Sequence, residues 1–143
     1  MKRRILSLLV IVLLLSSARA EEADKQVDAR KGALALAGAF SNDGFKIRDG
    51  HWAGDVKSGD RALVAVNLYA GNQYWFSVAT DDKSAKIGVR LYDETGKPLP
   101  VEDYQGEATA AAGYSPAVSG QYFVSIAPTE GGTGTYCLVY SYK

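Results

Sequence analysis

Residues able to do chemistry are few in this chain. Among its 143 residues His51 is the only histidine and Cys137 the only cysteine. A zinc site needs several imidazoles or thiolates at short spacing, and none are so arranged here. A serine nucleophile would have to recruit His51, yet no G-x-S-x-G turn is present. Carboxylates are more numerous, with adjacent pairs at Asp81-Asp82, Asp93-Glu94 and Glu102-Asp103, each in a stretch that reads as a loop. A glycosidase needs two carboxyls facing each other across a cleft, one with a raised pKa, and a linear pair encodes neither. A small carboxylate-dependent hydrolase is therefore a remote alternative. Calcium suits such loops better, because a hard cation takes oxygen ligands from them, although no D-x-D-x-D-G loop is present. Without a phosphate-cradling glycine loop ahead of a helix, nucleotide binding is unsupported. The expectation is a protein that is not an enzyme and has no obligatory cofactor, calcium being the one cation its loops suit.

The more informative side chains are aromatic. Gln73-Tyr74-Trp75-Phe76-Ser77-Val78-Ala79 and Gln121-Tyr122-Phe123-Val124-Ser125-Ile126-Ala127 are near copies 48 positions apart, led by Gly71 and Gly120. A third version is Gly134-Thr135-Tyr136-Cys137-Leu138-Val139-Tyr140. A period of two places Tyr74, Phe76 and Val78 on one face of a strand, and likewise Tyr122, Val124 and Ile126. Those faces form the expected core. The opposite rows are Gln73, Trp75, Ser77 and Gln121, Phe123, Ser125, so a bulky ring projects from a polar row in each copy. Three readings stay open: the segment from Glu21 to Phe40 or a long loop covers the rings, they form a platform on which a sugar stacks beside Gln and Ser, or they belong to a protein interface. Trp75, Phe123, Trp52 and Tyr104 are the ligand-binding candidates.

Turn chemistry sets the elements that carry these residues. Arg61 to Tyr69 alternates with Val66 and Leu68 on one face, and Ala70-Gly71-Asn72 predicts a hairpin into the first heptapeptide. Lys86 to Tyr92 puts Ile87, Val89 and Leu91 on one side. Pro98 and Pro100 cannot donate to a ladder, which predicts an edge or a loop. Gln105 to Gly113 is small and polar, with no clear period. Glu130-Gly131-Gly132-Thr133-Gly134 predicts a second hairpin, joining the last two strands. Between Glu21 and Ala39 the positions Ala23, Val27, Arg30, Leu34 and Ala37 recur at helical spacing, and Ser41-Asn42-Asp43-Gly44 ends that segment.

The first twenty residues have the pattern of an export signal. Lys2, Arg3 and Arg4 form a basic head, Ile5 to Leu15 an apolar run, and Ala18-Arg19-Ala20 a small-x-small cleavage site. That run is too short for a helix to cross a hydrocarbon core of about 30 Å. The expected protein is periplasmic or secreted, cut after Ala20, with no stable membrane anchor and no N-terminal lipid. The cut leaves 12 basic and 16 acidic residues. Such a negative balance argues against nucleic acid or an anionic membrane surface as a partner. With one cysteine there is no internal disulfide, and stability rests on packing. The predicted organisation is a signal peptide over 1–20, an extension over 21–49 with one helix, and a β-sandwich over 50–143.

Taken together, Val66 to Phe76, Ile87 to Gly96, Ser119 to Ile126 and Gly134 to Val139 resemble the bacterial pre-peptidase C-terminal domain, from about Trp52 to the end of the chain. The resemblance implies an all-β, jelly-roll-like antiparallel sandwich of about seven to nine strands. It also implies an accessory role beside exported enzymes, with no catalytic residues to carry over. The chain differs in having no peptidase attached and in carrying the segment from Glu21 to about Asp49. The expected function is an exported binding or accessory module that recognises a glycan or another exported protein. The alternative is a structural or envelope-interaction protein without a small ligand.

Overall fold

The computed structural model describes residues 2–130, 132 and 134–143, with side chains from Ser16 onward. The side chains of the basic head and apolar run thus lie outside the described residues, as do Gly131 and Thr133 of the predicted link. Helix α1 (Lys2–Ser41) is followed by nine strands: β1 (Lys46–Ile47), β2 (Trp52–Val56), β3 (Ala62–Leu68), β4 (Tyr74–Thr80), β5 (Lys86–Tyr92), β6 (Glu102–Gln105), β7 (Thr109–Tyr114), β8 (Gly120–Glu130) and β9 (Gly134–Tyr142). They form two antiparallel sheets. One runs β1-β9-β4-β7-β6, with β2 also paired to β9; the other runs β3-β8-β5.

The alternation read from the sequence matches the buried face. Tyr74, Phe76, Val78, Tyr136, Leu138 and Tyr140 from the larger sheet meet Val64, Val66, Leu68, Ile87, Leu91, Tyr122, Val124 and Ile126 from the smaller one. At about 1.5 to 3 kcal/mol for each large side chain removed from water, this layer is the main source of stability. The two heptapeptides lie in opposite sheets, and both turn their alternating apolar residues into this layer.

Neither predicted hairpin forms. β3 pairs with β8 and β4 pairs with β7 and β9, so Tyr69 to Gln73 crosses between the sheets. Gly71 takes a positive φ of 91° at this corner, and the Tyr69 N–H donates to the Tyr74 hydroxyl at 2.9 Å. β8 and β9 also lie in different sheets. Alternation determines which face of a strand is buried, and a hairpin and a sandwich corner satisfy it equally. Gln105 to Gly113, without a clear period in the sequence, contributes to β6 and β7. Pro98 makes one isolated bridge to Tyr92, within an otherwise irregular segment.

The predicted helix is present and extends to Ser41, where the Asp43 and Gly44 N–H groups close its last turn on Phe40 and Ser41. Its docking stripe is made of small residues. Ala29, Ala33 and Ala37, one turn apart, are fully buried against Ala79, Cys137 and Val139 on the outer face of the larger sheet. Gly32 lets the backbones approach, since a Cβ there would stand 2.8 Å from the Ala79 Cβ.

Candidate functional site

The four aromatic candidates do not come together. Trp75 points outward from β4 beneath the end of α1, where the Phe40 ring stacks on it at 4.2 Å between centroids and 7° between planes. Its other side lies over β7, and a Cβ on Gly113 would come within 2.9 Å of the indole. With both ring faces taken, the indole offers only its edge, and the predicted sugar platform is not available at Trp75. Phe123 projects from the outer face of the other sheet, on the far side of the sandwich, half-buried between Ala65 of β3 and Tyr92 of β5. Trp52 packs against the core and stacks on Tyr140 at 5.8 Å, with the Arg48 guanidinium over both rings. Tyr104 is exposed on β6, in register with Ala111. Equivalent heptapeptides put their projecting rings on opposite outer surfaces because the sheets pack inner face to inner face.

Those two outer surfaces differ. Over the larger sheet, α1 covers β4 and β9 and buries Cys137, whose thiol is pushed up to about 11 by desolvation. Ser77 and Ser141, fully buried on the same face, have side-chain oxygens with no hydrogen-bond partner among the described residues. Among the described residues, the smaller sheet has no such cover. Its outer face shows Leu63 (53 % exposed), Ala65, Phe123 and Tyr92, with Asn67 and Gln121 at one end. Arg61 lies over the Tyr92 ring at 5.7 Å, and Arg90 also projects on this side. The segments 62–68, 88–92 and 121–127 contain no carboxylate. None of Arg61, Leu63, Arg90 and Tyr92 was singled out from sequence; the available signal was Leu63 and Ala65 at positions of β3 where a solvated face calls for polar residues.

Two of the acidic pairs serve the loops, whereas Glu102-Asp103, expected in a loop, lies on β6. Asp82 accepts from the Ser84 hydroxyl at 2.7 Å, and Asp93 from the Thr95 hydroxyl at 2.6 Å. These hydroxyl bonds, helped by main-chain N–H donors, hold both carboxyls below the usual range. Asp81 takes the Thr135 N–H at 2.8 Å and Asp55 takes its hydroxyl at 2.8 Å. Among the described residues, no three His, Cys, Asp or Glu side chains gather to hold a metal ion. His51 is exposed.

Two clefts adjoin the candidates. One of about 410 Å³ runs along the Trp75 edge, lined by Gln73, Glu102, Tyr114 and Ser115. Another, of about 630 Å³, lies between the free edge of β5 and β6, with Tyr104 at its rim.

No family model matches the sequence, and neither does any curated protein. Solved structures do match. The pre-peptidase C-terminal domain of collagenase from Bacillus anthracis is 17 % identical, with 64 % of this chain and 87 % of that one covered at a TM-score of 0.51. The Yersinia pseudotuberculosis-derived mitogen is 12 % identical, covering 67 % and 85 % at 0.51. A periplasmic inhibitor of g-type lysozyme from Aeromonas hydrophila is 11 % identical, covering 66 % and 85 % at 0.48. At these identities the comparison speaks to architecture. The chain has a pre-peptidase C-terminal-like β-sandwich fold, to which it adds helix α1.

Proposed function

We propose that this protein is an exported, non-catalytic module that binds another exported protein through the outer face of the β3-β8-β5 sheet. The observation that carries the reading is the unequal cover of the sandwich: one outer face is sealed by α1, while the other leaves apolar and aromatic side chains in water, with the Arg61 and Arg90 guanidiniums on it and the Lys86–Glu130 ion pair at one end of its strands. Apolar centres with aromatic and arginine residues are the composition of protein interfaces. A partner surface bearing carboxylates fits this face. Export is supported by the basic head, the apolar run and Ala18-Arg19-Ala20. Removal of residues 1–20 keeps the helix that docks, because its buried contacts begin at Ala29.

The test is affinity capture from a periplasmic or extracellular extract of the source bacterium, using wild type, Leu63→Asp and Arg90→Glu, with Lys57→Ala as a control away from the face. One protein retained by wild type and the control but lost by both face variants is the expected result. Equal capture by all four overturns the assignment. N-terminal sequencing of the exported protein checks for Glu21 as the first residue.

A second reading is favoured by the cleft beside Trp75, where an indole edge meets the polar side chains of Gln73, Glu102 and Ser115. A glycan held there would be bound by hydrogen bonds to its hydroxyls. Titration of Trp fluorescence with a glycan panel, with and without calcium, tests it. Saturable quenching lost in Glu102→Ala supports this reading, and a flat response removes it.

A further inference from the structure

The edge of β5 carries a second kind of binding group. β5 pairs with β8 on one side, and its other side is closed at two points. At one end the Leu99 N–H donates to the Leu91 carbonyl at 3.0 Å. At the other, the Gln105 side-chain nitrogen donates to the Ile87 carbonyl at 3.1 Å. Main-chain groups along a strand alternate sides, so Val89 turns its N–H and C=O the same way as Ile87 and Leu91. No protein group among the described residues bonds to them there. That side opens on the cleft of about 630 Å³, whose apolar lining includes Leu91, Leu99 and Val101.

Two charges line the cleft, Arg90 on the outward side of β5 and Asp103 on β6. Asp103 is in register with Ala112, a core position, so its side chain leaves β6 on the inner face. It lies between Leu99 and Gln105 in the chain, the residues that make the two closures. No ion pair engages it among the described residues.

We infer that the free edge of β5 binds an extended peptide that adds as a strand beside Val89 and places a basic side chain over Asp103. An exposed strand edge recognises extended main chain by hydrogen bonds, and the side chains beneath it select every second residue. A peptide residue opposite Val89 directs its side chain inward as Val89 does, toward Asp103; its neighbours point outward, beside Arg90. The carboxylate therefore calls for Lys or Arg at the inward position. Ile87 to Leu91 spans about 13 Å at the rise of a strand, room for three or four residues. Gln105 is exposed and occupies the last edge carbonyl; its nitrogen also donates to the Gly106 and Thr109 carbonyls, at 3.4 and 3.2 Å, so it can release Ile87 and keep those two acceptors. The inference rests on the reading of the protein as a binding module and specifies the segment that a partner contributes.

The experiment titrates the protein with two acetylated hexapeptides, one alternating Thr and Lys and the other alternating Thr and Glu, and follows backbone amides by NMR. The expected result is saturable binding of the Lys peptide alone, with the Val89 and Leu91 amides shifted and newly protected from exchange. Asp103→Lys weakens it by about tenfold or more, while Gln105→Ala binds at least as tightly. Binding of neither peptide, equal binding of both, or unchanged affinity in Asp103→Lys overturns the inference. A concentration-dependent dimer abolished by Val89→Pro assigns the edge to a second copy and also overturns it. Leu63→Asp separates the two proposals, since it removes capture through the outer face and leaves the Lys peptide bound.

Discussion

Replacing Gly32 by alanine sets two effects of known sign against each other. In a free helix the change is favourable by about 1 kcal/mol. In the docked helix the new Cβ stands 2.8 Å from the Cβ of Ala79, well inside contact distance. Both atoms are fixed to their backbones, so neither can rotate aside and α1 must lift from the sheet. Overpacking of this kind costs about 1 to 3 kcal/mol, which leaves Gly32→Ala destabilising by up to about 2 kcal/mol. Gly38, six residues along the same helix, has nothing within 4 Å of its own added Cβ. Gly38→Ala should therefore stabilise by about 1 kcal/mol. Urea unfolding followed by Trp fluorescence measures both, and the reaction of Cys137 with a thiol reagent reports on the docking itself, because α1 covers that thiol. Faster labelling is expected for Gly32→Ala and not for Gly38→Ala. Equal stabilisation by the two substitutions, with unchanged labelling, would refute the docking of α1 through its small-residue stripe.

Ser77→Ala and Ser141→Ala each remove a buried hydroxyl that has no partner, so each should stabilise by about 1 kcal/mol; a loss of that size in urea unfolding would show that the hydroxyls are satisfied. Cys137 ionises in the folded protein at about 11, above the ordinary thiol value near 9.0. A raised acid stabilises the fold below the unfolded pKa, so this contribution is complete under pH 9 and is lost between about pH 9 and 11. Thermal midpoints of wild type against Cys137→Ala across that range should show wild type losing relative stability as pH rises. Arg48 caps Trp52 and Tyr140, and Arg48→Ala should cost about 1 kcal/mol and alter Trp emission; an unchanged spectrum would remove that contact.

Much of the sandwich was legible because burial follows the pleat. Tyr74, Phe76 and Val78, and Ile87, Val89 and Leu91, could be assigned inward from period alone, and so they are. The short helical pattern before Ser41 was legible for the same reason, at a period of 3.6. β6 and β7 were not, since Ala110 to Gly113 are small on both faces and carry no alternation. The candidate site was less legible. Trp75 was visible as an aromatic on a polar row, and cover by the segment from Glu21 to Phe40 was one of its open readings; that this cover reaches Trp75 and not Phe123 came only from the fold. Asp103 looked like half of a loop pair and stands instead on a strand lining a cleft.

By itself, then, the order of residues determined which side of each ribbon is dry and where the chain turns. Local periodicity and residue type suffice for those, because they depend on near neighbours. Tertiary packing alone decided that the two heptapeptides sit in opposite sheets, that α1 seals one outer surface and leaves the other in water, and that the edge of β5 keeps unpaired main chain beside a carboxylate. Each of these depends on which distant segments meet, and pairing between strands is set by the joint burial of both faces rather than by any stretch read alone.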